Sequence, residues 1–471
     1  MRRAGVAVGA VIRSALLASC GVIAASLLLA ACGASGVPTS PASSVPSDSG
    51  AARDERDCLW LLDSRINTLF PDRYAQYWVA ALVIPLGGAV TIDGEFPAAR
   101  YISFNLYDEQ LAPIDALTDV EILPAAGSTN PFVEAADRNA SPRAYQLRLI
   151  AAVPPADAAQ RAPNTLYSAR TLGPVSVPAN LAVLFYRRYV PDVGREAAAL
   201  PRIRFELADG RSISGPAACG ALDRLSFAIP DLAALPDPVA DLPVNTAAFV
   251  DLLWLKFFSA VSSQGNRVFA TPLGPAVYET IGSPTEGGGG FASNRDNRYI
   301  YASISRQLGP VVALHGRFPS APVTSDGRSP MPGGSMRYWS ICTNDGNTLA
   351  VFSCLYDEQL RTDAAGRGII VVSRDDDRPA NATEACGISW LDWGAADNAV
   401  LIYRHMLPQP EAVFPQAIQY IPGPPGQFEA SVMGEYFPYG HHMSRAEFEA
   451  LGCPVDARRL PAVVTPPPTA R

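Results

Sequence analysis

The chain predicts a mainly β protein built as two tandem antiparallel β-sandwich or jelly-roll domains, the product of an internal duplication, with a few helices. Three observations predict this: a long-period repeat, many short strand-like stretches between turn residues, and abundant proline. Arg100-Tyr101-x-Ser103 runs into Leu106-Tyr107-Asp108-Glu109-Gln110-Leu111, and Arg337-Tyr338-x-Ser340 runs into Leu355-Tyr356-Asp357-Glu358-Gln359-Leu360. Upstream, Tyr77, Leu86, Gly87, Gly94, Phe96 and Pro97 recur 222 residues later as Tyr299, Leu308, Gly309, Gly316, Phe318 and Pro319. Downstream, Ala182-Val183-Leu184-Phe185-Tyr186-Arg187 is matched by Ala399-Val400-Leu401-Ile402-Tyr403-Arg404. At such a spacing each copy is one folded unit of roughly 150 to 200 residues. The shared blocks should then fall on equivalent strands, Tyr107 over Tyr356.

The elements follow in order. Residues 1–31 read as a signal peptide and 32–52 as a tether. A first sandwich spans 53–222 and opens with a helix near Asp54–Phe70, where Leu59, Leu62, Ile66 and Leu69 form one stripe. Strands are expected over 88–92, 101–106, 145–153 and 181–189, which are rich in Val, Ile and aromatics. Pro230, Pro236, Pro238 and Pro243 mark a linker, 223–245. A second sandwich, 246–455, begins with a helix near Asn245–Val261 carrying Phe249, Leu252, Leu253 and Phe257, and continues with strands near 311–314, 368–373 and 400–403. Residues 456–471 read as a disordered tail. The 43 prolines argue for loops over long helices.

Location is written at the start. Arg2, Arg3 and Arg13 precede an uncharged run from Ser14 to Ala31 that ends in Leu29-Ala30-Ala31-Cys32-Gly33. This resembles a bacterial lipoprotein signal, which implies cleavage before Cys32, acylation of its thiol with a palmitate-type chain, and anchoring at the outer face of the cell membrane. Gly33 to Gly50 are almost all Gly, Ala, Ser, Pro, Val and Thr, a composition too poor in apolar area to fold. The bilayer, reached through acylated Cys32, is the one expected partner of known kind.

Cleavage removes three arginines and no acids, so the formal charge moves from −8 to −11. That balance repels polyanions and excludes nucleic acid as a partner. Lys256 is the only lysine, the mark of a high-G+C genome. Six cysteines remain, Cys58, Cys219, Cys342, Cys354, Cys386 and Cys453, an even number suited to three disulfides in an oxidising compartment. Cys342 and Cys354 flank an insertion lacking in the first copy and should staple a hairpin. Proximity within each half would join Cys58 to Cys219 and Cys386 to Cys453, among fifteen possible pairings. Their spacing does not suit zinc, and no cofactor is expected.

Arg337-Tyr338-Trp339-Ser340, the Leu355-to-Gln359 block, Val371-Val372-Ser373-Arg374 and Asn381-Ala382-Thr383 through Cys386-Gly387 resemble a family of uncharacterised secreted lipoproteins of high-G+C bacteria. Asn164-Thr165-Leu166-Tyr167 with Leu172-Gly173-Pro174 is similar, more distantly, to bacterial proteins pairing two domains of unknown function, which implies a double jelly roll. Neither resemblance supplies an activity or a catalytic residue.

The sequence holds no Gly-x-Ser-x-Gly elbow, no His-Glu-x-x-His helix and no phosphate loop with its lysine; the Gly287–Gly290 run lacks the Lys-Ser/Thr that would follow. On an extended strand Asp108 and Glu109, or Asp357 and Glu358, leave on opposite faces and cannot converge on one glycosidic bond. They are expected instead to neutralise Arg100 and Arg337 beneath a sheet. His441 and His442 are adjacent and ill placed for one metal; His315 and His405 stand where the first copy has Asp93 and Arg188. Trp339, Trp390, Trp393, Tyr436, Phe437 and Tyr439 are core residues or ring platforms. The expected function is binding of a small molecule, lipid, carbohydrate or envelope partner between the two domains, through Arg100, Tyr101, Arg337, Tyr338, Trp390 and Trp393. The alternative is a secreted hydrolase of envelope carbohydrate or ester.

Overall fold

A computed structural model describes residues 59–60, 67, 70–108, 111–172, 174–218, 255–256, 293–327, 331, 333–345, 350–422 and 428–460. The signal peptide, the tether, the linker, Glu109, the Cys58–Cys219 bridge and nearly all of both expected helices lie outside the described residues. No helix among the described residues is long and apolar enough to cross a membrane.

Among the described residues the first half contains strands β1 (Ala75–Val83), β2 (Ala89–Glu95), β3 (Ala99–Tyr107), β4 (Pro113–Thr118), β5 (Ala144–Ile150), β6 (Thr165–Tyr167), β7 (Ala169–Leu172), β8 (Val175–Pro178), β9 (Leu181–Pro191), β10 (Arg202–Glu206) and β11 (Ser212–Ser214). The second contributes β12 (Leu255–Lys256), β13 (Asn297–Ser305), β14 (Val311–Arg317), β15 (Met336–Asn344), β16 (Val351–Tyr356), β17 (Arg367–Ser373), β18 (Ile388–Asp392), β19 (Asn398–Pro408) and β20 (Tyr439–Met443). The first half stacks sheet β1-β9-β3-β4 on sheet β11-β10-β2-β5-β6, and the second stacks β12-β13-β19-β15-β16 on β18-β17-β14-β20. Short helices α1 (Glu429–Met433) and α2 (Arg445–Glu449) flank β20.

Alternation along the strands explains the layers. In β1, Trp78, Ala80 and Leu82 face the first core with Ile92, Phe104, Leu147, Leu184 and Tyr186. In the second core Ile300, Leu314, Trp339, Ile341, Leu401 and Tyr403 play the same part. The opposite faces of these two sheets are largely buried too, but by aromatic and polar side chains such as Tyr101, Ser103, Asn105, Tyr338 and Ser340. Gly94 and Gly316 permit close approach at equivalent points: a Cβ would lie 2.4 Å from Tyr145 Oη at the first and 2.9 Å from the Phe437 carbonyl at the second.

The duplication holds at the level of topology and register. Tyr77 pairs with Arg187 across β1 and β9, as Tyr299 pairs with Arg404 across β13 and β19. Each core-covering sheet also departs from antiparallel order at the same place, with β6 parallel to β5 and β18 parallel to β17. One expectation fails. Tyr107 ends β3, whereas Tyr356 ends β16, the counterpart of β4, so the repeated Leu-Tyr-Asp-Glu-Gln-Leu blocks are not structural equivalents. The counterpart of Tyr356 is Thr118: each ends its strand and opens a 3₁₀ turn, Asp119–Glu121 in one half and Asp357–Gln359 in the other.

Two of the expected disulfides are formed. Cys342 and Cys354 are directly opposed on β15 and β16, and Cys386 joins Cys453. The second bridge belongs to a small satellite core on the outward face of β14 and β17, where Val311, Ala313, Ile369 and Val371 meet Phe448 and Leu460. Leu460 is buried there, so the folded body runs past 455 into the expected tail.

Candidate functional site

Arg100 and Arg337 each take the second position of their strand, β3 and β15, and each reaches the opposite half. Arg100 donates to Asp357 Oδ1 at 2.5 Å, to Thr324 Oγ1 at 2.8 Å and to Glu358. Arg337 donates to Asp119 Oδ2 at 3.3 Å and to the Arg100 carbonyl at 3.2 Å. Since Asp119 and Asp357 open the turns that follow β4 and its counterpart β16, the two ion pairs are exchanged about a pseudo-twofold axis. An isologous interface has this form, residue i meeting j and j meeting i.

The segments leading into β1 and β13 are exchanged in the same way. Tyr338 donates to Asp72 Oδ2 at 2.9 Å and Ser340 to the same oxygen at 2.6 Å. Reciprocally, Tyr101 donates to Asp296 Oδ2 at 2.7 Å and bonds Asn294. Tyr101, Tyr189 and Tyr338 stack edge to face between the halves, at 5.4 and 5.3 Å. The strands paired with β1 and β13 in their own halves, β9 and β19, end in a matched kink: Val190 and Leu407 sit at φ +44° and +45°, their N–H groups donating to the carbonyls of Tyr74 and Asp296. Positive φ is costly for such side chains, and a carbonyl just before the neighbouring strand of the same half holds each in place.

Burial sets the electrostatics of the seam. It pushes Asp119 up to about 6 against the pull of Arg337, and Asp357 up to about 6 against Arg100. At Glu358 burial works the same way, but the Ser325 hydroxyl, the Thr324 N–H and Arg100 outweigh it and hold the carboxylate below its usual value. The two carboxylates of the second block thus converge on one guanidinium and not on an open space.

These positions correct several sequence expectations. Arg100 does meet Asp357 and Glu358, but they come from the other half and not from beneath its own sheet; Arg337 meets Asp119, outside the repeated block. Asp108 caps a turn, accepting from Ala112 N–H at 2.9 Å. Arg100, Tyr101 and Tyr338 are wholly buried in the seam, and Arg337 is nearly so, which turns four expected ligand contacts into joints between halves. Trp393 lies in the second core, as do Trp339 and Phe437. Of the six residues expected to bind a ligand, only Trp390 keeps a half-buried ring outside the seam, with Nε1 donating to Ser373 Oγ and the Arg378 guanidinium 4.5 Å above it; Tyr436 and Tyr439 pack half-buried against the second core. Asp119, Asp72, Asp296 and Thr324 carried no sequence signal.

The histidines part company by strand face. His442 points inward and accepts from Ser305 N–H at 3.2 Å, while His441 points outward. His405 is buried, its Nδ1 accepting from Ile418 N–H at 3.1 Å, and burial lowers it to about 3. One group of three metal-ligand side chains among the described residues falls within 4.8 Å, Asp72 with Cys342 and Cys354, and its two sulfurs are bonded to each other.

No protein-family model and no curated protein matches the chain. Among solved structures it is similar to an uncharacterised protein from Burkholderia cenocepacia, with TM-score 0.40 and 13% identity over 76% of this chain and 81% of that one. A Vibrio parahaemolyticus protein aligns with TM-score 0.37 and 9% identity, covering 80% of this chain and 90% of its own.

Proposed function

We propose that this chain is an extracytoplasmic lipoprotein, anchored at the outer face of the cell membrane through acylated Cys32, that binds a small or lipidic ligand or an envelope partner. The observation that carries the compartment is the pair of disulfides, Cys342–Cys354 and Cys386–Cys453, bonds that persist where thiols are oxidised. A binding role is favoured over the hydrolase because Asp357 and Glu358, the carboxylates a glycosidase would use, are both engaged by Arg100. The packing of Tyr101, Tyr189 and Tyr338 fills the described seam, so the reading moves ligand contacts to solvent-facing rims such as Trp390 and Arg378.

The test expresses the full chain in a bacterial host and partitions it in a cloud-point detergent. Mass spectrometry should find a diacylglyceryl-modified Cys32 at a new N-terminus, and Cys32→Ala should move the protein to the aqueous phase. An unmodified N-terminus with unchanged partitioning overturns the anchor. Native mass spectrometry of the same preparation reads the binding half, through a bound small molecule released on unfolding.

A further inference from the structure

Five exposed aliphatic side chains belong to one end of the first half: Leu86 is 81% exposed, Leu172 and Val175 are 56% each, Val83 is 51% and Leu181 is 37%. Val83 ends β1 and is directly opposed to Leu181, which begins β9. One step on, Ile84 N–H donates to the Asn180 carbonyl at 2.7 Å, and the Asn180 side chain returns a bond to the Ile84 carbonyl at 2.9 Å. Ala179 N–H then meets the Ser168 carbonyl at the base of the β7–β8 hairpin. That hairpin is a two-stranded sheet of its own, paired to neither core sheet. Leu172 and Val175 oppose each other at its tip and so share one side of the ribbon, with Val177 two residues further along.

The same segments are free of acid. No charged residue of either sign occurs from Tyr74 to Ile92, and no Asp or Glu from Ala158 to Pro191, in a sequence that holds 45 of them. Arg170 is the one charged residue of the hairpin. The β10–β11 turn closes on this end, since a Cβ on Gly87 would lie 3.2 Å from the Ala208 Cβ. Two acids come with that turn and both are bonded: Glu206 accepts from Thr91 Oγ1 at 2.6 Å, and Asp209 from Arg211 Nε at 2.7 Å. A chain of formal charge −11 after cleavage thus presents an apolar end with no unbonded acid among these segments, which is what approach to an anionic headgroup layer requires.

We propose that this end of the first half, the β7–β8 tip together with Val83, Leu86 and Leu181, is a lipid-contact surface that rests on the anionic bilayer in which the chain is anchored. The inference builds on the Cys32 anchor, which supplies the bilayer. Exposed aliphatic side chains clustered on an acid-free end enter the headgroup boundary and leave water there. The 26 residues from Gly33 to Cys58 span at most about 90 Å, and a folded body of this size has a radius of gyration of about 20 Å, so the anchor lets this end reach the surface. Tethering also raises the local lipid concentration, so a weak contact is enough to set the orientation of the body.

The experiment uses the chain from Gly33 to Arg471, which holds every described residue but neither the signal segment nor the acylated cysteine, so that vesicle binding reads the surface alone. It is sedimented with vesicles of phosphatidylcholine carrying about one-third phosphatidylglycerol. Binding should be measurable at about 1 mM lipid, and Leu172→Ser/Val175→Ser should weaken it by about tenfold, the loss expected when two half-exposed aliphatic side chains no longer leave water. Leu86→Ser should weaken it further, while Val413→Ser, 68% exposed on the second half, should leave it unchanged. Circular dichroism and urea midpoints of the variants should match the parent. Absence of vesicle binding overturns the surface, as do equal binding by the hairpin variant and a hairpin effect confined to loss of a dimer in native mass spectrometry, which would make a second copy the occupant. Vesicle binding by this chain alongside an unmodified Cys32 in the full-length protein would uphold the surface and remove the anchor, so the two readings fail separately.

Discussion

Arg100 donates to Asp357 across 257 residues of chain, and its structural twin Arg337 returns the contact to Asp119. Each half therefore carries a cation whose counter-charge the other half supplies. A buried guanidinium without its carboxylate is far more costly than the pair is stabilising, so the two halves are held to one relative placement.

Arg100→Met should lower unfolding stability by about 3 to 5 kcal/mol, since it strands Asp357 in the seam. Adding Asp357→Leu should recover most of that loss. Urea unfolding of the wild type, both singles and the double variant gives the coupling energy. Additive effects would mean that the pair does not join the halves.

The same carboxylates set a pH dependence whose sign can be worked out. Asp119 and Asp357 are raised from 3.8 to about 6 when folded, so the native state holds protons that the unfolded chain has released. Their contribution is fully present below pH 3.8 and is lost as pH rises through 6. Asp119→Asn and Asp357→Asn should thus gain stability relative to wild type between pH 5 and 7.5. Melting temperatures at the two pH values measure this; a difference independent of pH contradicts the assignment.

His405 works in the opposite sense. Burial lowers it from 6.5 to about 3, so the unfolded chain takes up a proton that the native state refuses. Its contribution is present above pH 6.5 and fades as pH falls toward 3. The variant His405→Asn should flatten acid destabilisation over that interval, seen in urea midpoints at pH 4.5 and 7.

The two bridges should differ in strength. Cys386–Cys453 closes 67 residues and Cys342–Cys354 closes 12. Chain entropy makes the first worth about 4 kcal/mol and the second about 3. Paired Cys→Ala variants compared by urea unfolding should keep that order, and its reversal would show that local packing outweighs loop length.

Much of the fold was legible because strands announce themselves through period and punctuation: β2, β3, β5, β9, β14, β17 and β19 all fall where Val, Ile and aromatic runs predict them. The hairpin disulfide was legible because Cys342 and Cys354 bracket an insertion. The seam was not. Sequence similarity equated Tyr107 with Tyr356, yet spatial equivalence runs from Thr118 to Tyr356, and Asp119-Val120-Glu121 has little in common with Asp357-Glu358-Gln359 beyond its first residue. Self-comparison also says which residues correspond, never which ones touch, so Asp72 and Asp296 stayed silent. The return of β20 beside β14, which sets His441 opposite Ala313, is likewise a pairing that no local pattern encodes.

The exchanged segments tie completion of each half to the order of synthesis. When β3 and β9 have emerged from the export channel, Arg100 and Tyr101 still await Asp357 and Asp296, which follow much later in the chain. The earlier sandwich must wait with a polar, aromatic surface uncovered, and the last steps of assembly are docking steps between distant parts of the chain. Slow, late closure of this kind follows from the loop entropy of remote contacts. It makes the nascent N-terminal half the stage at which this protein most needs shelter from its neighbours.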